Sequence, residues 1–151
     1  MTGPIARAAR FDELTVRQLH DLLRLRVDVF VVEQDCPYPE IDGRDTDPAT
    51  EHLWVEVDGE VAACLRILDD GVTARIGRVA TAQEQRGQGY AAQLMRMALG
   101  RIGDRPTVLE AQAYLEEWYG QFGFVRTGED YLEDGILHVP MVRAVPSGPD
   151  S

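Results

Sequence analysis

The feature that most constrains this chain is a strand, a glycine turn and a helix that follow one another within residues 75–99. After the turn, apolar side chains recur at the spacing of one buried helical stripe. A small-residue turn that opens into a helix leaves the first backbone N–H groups without partners, and the helix dipole adds positive charge there. Such a turn suits an anion, most often a phosphate. Its residues are Arg86, Gly87, Gln88, Gly89, Tyr90 and Ala91.

The Gly-x-Gly pattern has a second interpretation, a tight connection between strand and helix that binds nothing. The turn lacks the third glycine and the later acidic residue of a dinucleotide-binding fingerprint. It also lacks the Gly-Lys-Ser/Thr of a P-loop. The turn alone therefore leaves both interpretations open, and the rest of the chain has to decide between them.

The order of the elements predicts the fold class. Hydrophobic patterning indicates a strand, a helix, a three-strand meander, a helix, a strand, a helix and two final strands. The strands at 75–82 and 107–112 are joined through a helix, so they should be parallel with a right-handed crossover. We therefore expect an α/β (α+β) chain: a mostly antiparallel, mixed sheet of six to seven strands, with one parallel crossover and helices on both faces. The length predicts one domain at 1–143 and a disordered tail at 144–151.

Composition narrows the classes of function. The net charge is −11, from 26 acidic and 15 basic residues, and no Lys/Arg cluster offers the basic patch of a nucleic-acid-binding protein. The acidic balance is compatible with a cationic amine substrate or with solubility alone. No apolar run approaches the roughly 20 residues that cross a bilayer, and the amino terminus lacks a signal-peptide core. We expect a cytoplasmic protein that binds neither nucleic acid nor membrane.

The residues that usually bind metals are too scattered to predict a metal site. The cysteines do not form a Cys-x-x-Cys pair, and the histidines lack ligand spacing. The acidic loop at 35–50 also lacks the calcium-loop pattern. The cysteines are Cys36 and Cys64, and the histidines are His20, His52 and His138.

A helix and a long polar loop precede the meander. Thr15 and Gln18 stand in the positions of a capping box at the start of the helix. Arg26 lies in the apolar stripe of that helix, where it either snorkels from the helix edge or fixes the acidic loop that follows. The loop at 35–50 is rich in Asp, Pro and Gly, and loops of that length are usually functional or mobile. It is either a wall facing the substrate or a solvated surface.

Three ordered blocks resemble the GNAT superfamily of N-acetyltransferases. Residues 25–34, Leu-Arg-Val-Asp-Val-Phe-Val-Val-Glu-Gln, with Asp42 after them, are similar to its ElaA-like branch. Arg-x-x-Gly-x-Ala at 86–91 resembles its pyrophosphate-binding signature, and Tyr-Gly-Gln-Phe-Gly-Phe at 119–124 resembles its last block. The resemblance implies the GNAT acetyltransferase fold. It also implies an acetyl-CoA-dependent enzyme, without a metal, that moves an acetyl group to a primary amine of a small molecule or peptide.

The resemblance also assigns residues to the two substrates. Val79 and Thr81 match strand residues whose backbones bond the pantetheine arm, and Gln112 stands where the family often has a cofactor-binding asparagine. Tyr119 matches the tyrosine that serves as general acid, although its apolar neighbours would also suit a core aromatic. The coenzyme A side comprises Val79, Ala80, Thr81, Arg86, Gly87, Gln88, Gly89, Tyr90, Ala91, Gln112 and Tyr119. The acceptor side is our own prediction from the helix, the acidic loop and the last strand, and comprises Arg26, Glu33, Gln34, Asp42 and His138.

The general base is left open. The histone-acetylating branch of the superfamily has a glutamate at the position of Arg75, so that role does not carry over to this chain. Glu110 and His138 are the leading candidates, and Glu33 and His52 remain available. Histidine titrates near neutral pH and needs no large shift of its pKa to act as a base.

Two other functions stay open. One is a regulator that binds acyl-CoA without catalysis, against which the retained Tyr119 argues. The other is a different acyltransferase, because the block at 25–34 is also similar to acyl-homoserine-lactone synthases. Strands at both ends of the sheet could pair across a homodimer.

Overall fold

Eight strands form one mixed sheet in the computed structural model, which describes residues 3–144. Their bounds are β1 Ile5–Arg10, β2 Glu51–Val57, β3 Glu60–Asp70, β4 Thr73–Thr81, β5 Thr107–Gln112, β6 Val125–Arg126, β7 Tyr131–Glu133 and β8 Ile136–Arg143. The order across the sheet is β1-β2-β3-β4-β5-β8-β6, and β7 pairs with β8 outside that path. All pairs are antiparallel except β4 with β5. The mostly antiparallel sheet with one parallel crossover is therefore confirmed.

Within residues 3–144, three α-helices accompany the sheet: α1 Val16–Val27, α2 Tyr90–Ile102 and α3 Glu116–Gly120. A π-helical segment, Asp28–Glu33, continues α1. The predicted capping box is confirmed, because the backbone N–H of Gln18 donates to the Thr15 hydroxyl at 3.0 Å and the Thr15 N–H donates to the Gln18 amide oxygen at 2.9 Å. These two bonds satisfy groups that the start of a helix otherwise leaves unpaired.

α1 and α2 pack on opposite faces of the sheet. Successive residues of a strand point to opposite faces. On β2, Trp54 is buried in a cluster with Leu22 and Leu25 of α1. Its neighbour Leu53 belongs instead to the main core with Leu94 of α2. The expected helices on both faces are therefore confirmed.

The parallel pair at the centre of the sheet is short. β4 and β5 are paired only where Ala74 faces Thr107 and Arg75 faces Val108. The remaining residues of both strands have no partner across this gap, so the strands separate towards their carboxyl ends. A cleft opens between them.

β4 is also irregular on its other side. Its pairing with β3 shifts between Cys64 and Arg66, which is a β-bulge. Within the bulge Arg78 has φ +54°, a left-handed conformation that long side chains seldom adopt. The bulge bends β4 at the level of the cleft.

The structure adds detail that the patterning lacked. The sheet has eight strands instead of six or seven, because 131–133 forms a short strand against β8. The helix expected at 114–122 is a 3₁₀ turn, Ala113–Leu115, followed by α3. Of the predicted tail, 145–151 lies outside the described residues. Between residues 3 and 144 no helix is both long and apolar enough to span a bilayer.

Candidate active site

A cleft of about 940 Å³ lies between the separated ends of β4 and β5. This volume is within the usual range for a small-molecule site. One end is bounded by the glycine turn before α2, and the other by the loop after the π-helical segment and by the β7–β8 hairpin. The cleft therefore connects the glycine turn, predicted to bind phosphate, with the loop predicted to face the acceptor substrate.

The glycine turn presents an uncovered helix start to the cleft. Gly87 and Gly89 have φ of +83° and +80°, so their backbone conformation favours glycine. A Cβ placed on either residue meets no atom within 4 Å, so open space lies beside both. Gly89 is the N-cap of α2 and makes no side-chain cap, which leaves the first N–H groups of the helix available to a ligand.

Arg86 does not reach into the open space but pairs with Glu33. Its two terminal nitrogens donate to the two Glu33 carboxylate oxygens, each at 2.7 Å, and its Nε donates to the Thr81 carbonyl at 3.2 Å. The hydrogen bond from Arg86 lowers the pKa of Glu33. Two residues predicted for different substrates are therefore bound to each other.

The next residue, Gln34, makes a similar bridge on the other side. Its amide oxygen accepts a hydrogen bond of 3.3 Å from the Gln112 side chain on β5. Glu33 and Gln34 thus connect one short segment both to the turn after β4 and to β5. We call residues 33–34 the strap.

Tyr119 is a buried residue that lines the cleft, with 7% of its surface exposed. Its ring makes edge-to-face contacts with Trp118 and Phe124, at centroid distances of 4.9 and 6.4 Å. Burial raises the pKa of Tyr119 above its usual value, so the phenol keeps its proton. The side chain therefore both packs in the core and faces the cleft.

The two leading candidate bases differ in how their polar atoms are occupied. Glu110 accepts bonds on both oxygens, from Arg75 at 3.1 Å and from the Tyr131 hydroxyl at 2.7 Å. His138 donates from Nδ1 to the Ile136 carbonyl at 2.8 Å, so its neutral form has the lone pair on Nε2. Both residues line the cleft. Of the two candidate bases, His138 is the one with an atom, Nε2, that is available to take a proton.

The other two candidate bases are placed less favourably. Glu33 is held by Arg86, as described above. His52 is buried outside the cleft, where its Nε2 donates to the Asp45 carbonyl at 3.1 Å. Burial lowers the pKa of His52. A buried, hydrogen-bonded imidazole of this kind fits a structural role.

Arg26 is the centre of a buried ion network that pins the acidic loop to the sheet. It bonds Glu40 at 2.6 Å and Asp45 at 2.8 Å, and only 2% of its surface is exposed. Of the two interpretations of Arg26 in the sequence, the structure supports the one in which it fixes the acidic loop. The network, which we call the loop clasp, consists of Arg26, Arg66, Arg78, Glu40, Asp42 and Asp45.

The charges of the loop clasp balance, three arginines against three carboxylates. Arg66 bonds Asp42 at 2.5 Å and Asp45 at 3.0 Å, and the hydrogen bond from Arg66 holds the pKa of Asp42 well below its usual range. Burial alone would raise the pKa of Asp45, but bonds and charge from Arg26 and the charge of Arg66 lower it overall. Because its carboxylates all lie in the loop and its arginines on α1, β3 and β4, the network fixes the loop to these elements.

Arg78 carries the clasp to the edge of the cleft. It bonds Glu40 at 2.9 Å, and its guanidinium carbon lies 5.4 Å from the centroid of the Tyr38 ring. Tyr38 and Glu40 are joined by a further hydrogen bond. Arg78, Asp42 and Tyr38 all line the cleft, so the fixed loop forms one of its walls.

Most residues predicted for the site line this cleft, and three do not. Arg26 is buried in the clasp behind the loop, Gln88 lies outside the lining set, and His52 is buried outside the cleft. Arg66 and Arg78 were not predicted. An arginine inside the apolar run of β3 was the available signal for Arg66. The predicted residues that line the cleft are Val79, Ala80, Thr81, Arg86, Gly87, Gly89, Tyr90, Ala91, Gln112, Tyr119, Glu33, Gln34, Asp42, Glu110 and His138.

A family model described as "Acetyltransferase (GNAT) domain" matches residues 19–145. The chain belongs to the GNAT acetyltransferase family. This GNAT protein is 51% identical over 136 residues to a UPF0039 protein of Mycobacterium tuberculosis, covering 87% of each chain. The match to Escherichia coli Protein ElaA is 44% identity over 140 residues, covering 88% of this chain and 92% of ElaA. It is therefore an ElaA-like member of the GNAT family.

Solved structures agree with the GNAT assignment. An acyl-CoA N-acyltransferase from Pseudomonas aeruginosa is 44% identical, with a TM-score of 0.88 over 94% of this chain and 100% of that one. The Escherichia coli ElaA structure has 40% identity and a TM-score of 0.88 over 93% and 99%. Because GNAT proteins use an acyl-CoA cosubstrate, the glycine turn and Arg86 are the groups of this chain to consider for its phosphates.

Proposed function

We propose that this GNAT protein is an acetyl-CoA-dependent N-acetyltransferase that acts on a primary amine of a small molecule or a peptide. One observation carries the proposal: a single cleft joins an open helix start to Tyr119 and His138. Anion binding, proton donation and proton removal are thereby available along one path. Acetyl-CoA supplies the activated acetyl thioester.

The residues at the glycine turn fit a diphosphate. The N–H groups at the start of α2 lack intrahelical partners, and the backbone of Gly87 and Gly89 is uncovered. The Arg86 guanidinium adds charge in a fork that suits phosphate oxygens. On β4, the residues beyond Arg75 have no partner on β5, which supports the proposed contacts of Val79 and Thr81 with the pantetheine arm.

We assign the two proton transfers to His138 and Tyr119. As the amine nitrogen bonds to the carbonyl carbon and the carbon–sulfur bond breaks, Nε2 of His138 takes the proton that the nitrogen loses. Tyr119 donates its phenolic proton to the departing sulfur, which suits a side chain whose pKa burial keeps high. Glu110 is the second candidate base, although both of its oxygens already accept hydrogen bonds.

The first prediction tests the phosphate site with Gly89→Asp. The new carboxylate would stand where we place the diphosphate, so we expect acetyl-CoA to bind about tenfold more weakly or worse. Isothermal titration calorimetry measures the affinity. Gly59→Asp is the matched control, because Gly59 has the same left-handed φ of +81° and open surroundings, but lies in the β2–β3 turn. Equal affinity in folded Gly89→Asp and in the control would contradict the site.

Release of coenzyme A thiol separates the proposed enzyme from the alternatives. Thiol release that depends on an added amine supports the enzyme, while tight acyl-CoA binding with no thiol release supports a regulator. A preference for long acyl chains over acetyl would support an acyltransferase similar to acyl-homoserine-lactone synthases. The homodimer and the cytoplasmic location remain predictions.

A further inference from the structure

The side chain expected to hold the phosphates is already occupied by a carboxylate. Arg86 gives Glu33 two parallel bonds of 2.7 Å, the bidentate arrangement that guanidinium groups form with carboxylates. A third bond joins its Nε to the Thr81 carbonyl. Glu33 and Arg86 both line the cleft, and both are partly exposed.

A diphosphate and the Glu33 carboxylate compete for the same face of the arginine. The two nitrogens that donate to Glu33 form the fork that binds a phosphate most strongly. A diphosphate brings more negative charge than a carboxylate and also accepts from the N–H groups of α2. It can therefore replace Glu33, whereas a neutral ligand has no comparable advantage.

Glu33 belongs to an element on the acceptor side, so its release changes more than the phosphate site. It ends the π-helical segment that continues α1, and it forms the strap together with Gln34. Two other acids lining the cleft are already held by arginines: Asp42 by Arg66 and Arg78, and Glu110 by Arg75. Glu133 and Asp134 also line the cleft, but they lie on the β7–β8 hairpin and not beside the glycine turn. Released Glu33 thus adds an unpaired carboxylate to the cleft edge.

We propose that acyl-CoA displaces Glu33 from Arg86, and that the released Glu33 carboxylate then binds the ammonium group of the acceptor. The ammonium gives up one proton to solvent before its nitrogen attacks the thioester, and the proton that His138 takes is the second one. This inference rests on the proposed function, because it requires a diphosphate at the glycine turn. Glu33 is in this view a positioning residue that links the two substrates: while it neutralises Arg86, it is unavailable to the amine. Binding of each substrate then favours binding of the other, as coupled sites must.

The experiment compares Glu33→Gln with Glu84→Gln. Both variants remove one negative charge near Arg86, but Glu84 lies in the 3₁₀ turn Gln83–Gln85 and makes no bond to Arg86. We expect acetyl-CoA to bind Glu33→Gln about two- to fivefold more tightly than wild type, since a competing, partly exposed ion pair is lost. Glu84→Gln should bind as wild type does. In an Arg86→Gln background, Glu33→Gln should no longer tighten binding.

The acceptor half is tested with n-butylamine as the probe, in the presence of saturating coenzyme A. Nuclear magnetic resonance titration should show weaker n-butylammonium binding to Glu33→Gln than to wild type and Glu84→Gln. Equal n-butylammonium binding in all three proteins, including no binding, overturns the acceptor role of Glu33.

The acetyl-CoA titrations have two outcomes that contradict the proposals. If wild type binds acetyl-CoA but Glu33→Gln binds it no more tightly than Glu84→Gln, the proposed displacement of Glu33 from Arg86 is wrong. If wild type does not bind acetyl-CoA at all, the proposed function itself fails.

Discussion

Tyr119 and His138 come to the cleft from different elements, α3 and β8, and each offers the atom that its proposed role needs. Burial holds the phenol protonated, and the bond from Nδ1 to Ile136 leaves Nε2 of the neutral imidazole with its lone pair. The two side chains do not depend on each other's charge. A substitution of Tyr119 should therefore remove proton donation alone, and a substitution of His138 should remove proton acceptance alone.

The second prediction concerns these two side chains. Tyr119→Phe and His138→Gln should each lower kcat about 100-fold, because proton transfer by a positioned side chain contributes roughly 10²–10⁴-fold. Acetyl-CoA affinity and melting temperature should stay near the wild-type values. Steady-state kinetics and calorimetry on the same preparations provide the measurement.

Glu110→Gln is the control for the base. If Glu110→Gln loses as much turnover as His138→Gln, the base assignment is wrong. Wild-type turnover in Tyr119→Phe would remove Tyr119 from the mechanism, leave it as a core aromatic and favour the regulator.

Single residues were predictable from sequence where a local motif marks them. The turn at 86–91 and the block at 119–124 are short, contiguous patterns, and the structure places nearly all of their proposed binding residues at the cleft. The pairing of Arg86 with Glu33 joins residues 53 positions apart, and no local pattern encodes it. The contacts of Arg78 could not be predicted from a local pattern either, because they depend on a bulge that arises from the pairing of β4 with β3.

At the scale of elements, the loop after α1 is a fixed wall. Its carboxylates enter the loop clasp, which explains how a segment rich in Asp, Pro and Gly takes one position against the sheet. Buried ion pairs add little stability over apolar packing, but removing one partner leaves an uncompensated buried charge. The clasp therefore makes the loop's position depend on each of its arginines.

The third prediction compares two arginines of α1. Arg26→Ala should lower the free energy of unfolding by about 3 kcal/mol or more, because Glu40 and Asp45 lose a buried partner. Arg24→Ala should change it by about 0.5 kcal/mol or less, because Arg24 makes only an exposed contact of 3.9 Å with Asp28. Urea denaturation measures both. A loss below about 1 kcal/mol for Arg26→Ala would contradict the clasp.

The long elements were the easier part of the fold to predict. The strands predicted at 75–82 and 107–112 agree with β4 and β5 to within a few residues, and the predicted capping box lies at the start of α1. The π-helical segment and β7 were missed, because each depends on tertiary contacts and not on its own short sequence. Three residues of β7 carry no periodicity by themselves, and β8 provides their partners.

At the scale of the whole molecule, the buried His52 and the arginine-paired Asp42 and Asp45 make stability depend on pH with the same sign. The pKa of His52 is lower in the folded protein, so the unfolded chain takes up the proton first as pH falls through the ordinary histidine range near 6.5. The pKa values of Asp42 and Asp45 are also lowered, and their contribution is lost below the ordinary aspartate range near 4. Acid thus destabilises the protein in two steps.

The fourth prediction isolates the first step. Between about pH 7.5 and about pH 5.5, the free energy of unfolding should fall because of His52, by no more than about 1.4 kcal/mol, the limit for an imidazole that stays neutral in the folded protein. His52→Gln should remove this part of the pH dependence, measured by urea denaturation at both pH values. His20→Gln is the control, because His20 is exposed and bonds only its neighbour Asp21. The same slope in His52→Gln and wild type would contradict the assignment.

The two paired positions between β4 and β5 have a mechanical consequence. They make a narrow seam between two half-sheets, β1–β4 on one side and β5, β8, β6 and β7 on the other. Few hydrogen bonds join the halves at this seam, so the connection depends mainly on the core they share, with Leu53 and Ile76 on one side and Leu109 and Met141 on the other. A ligand in the cleft would therefore add contacts between the halves at the place where the sheet itself supplies the fewest.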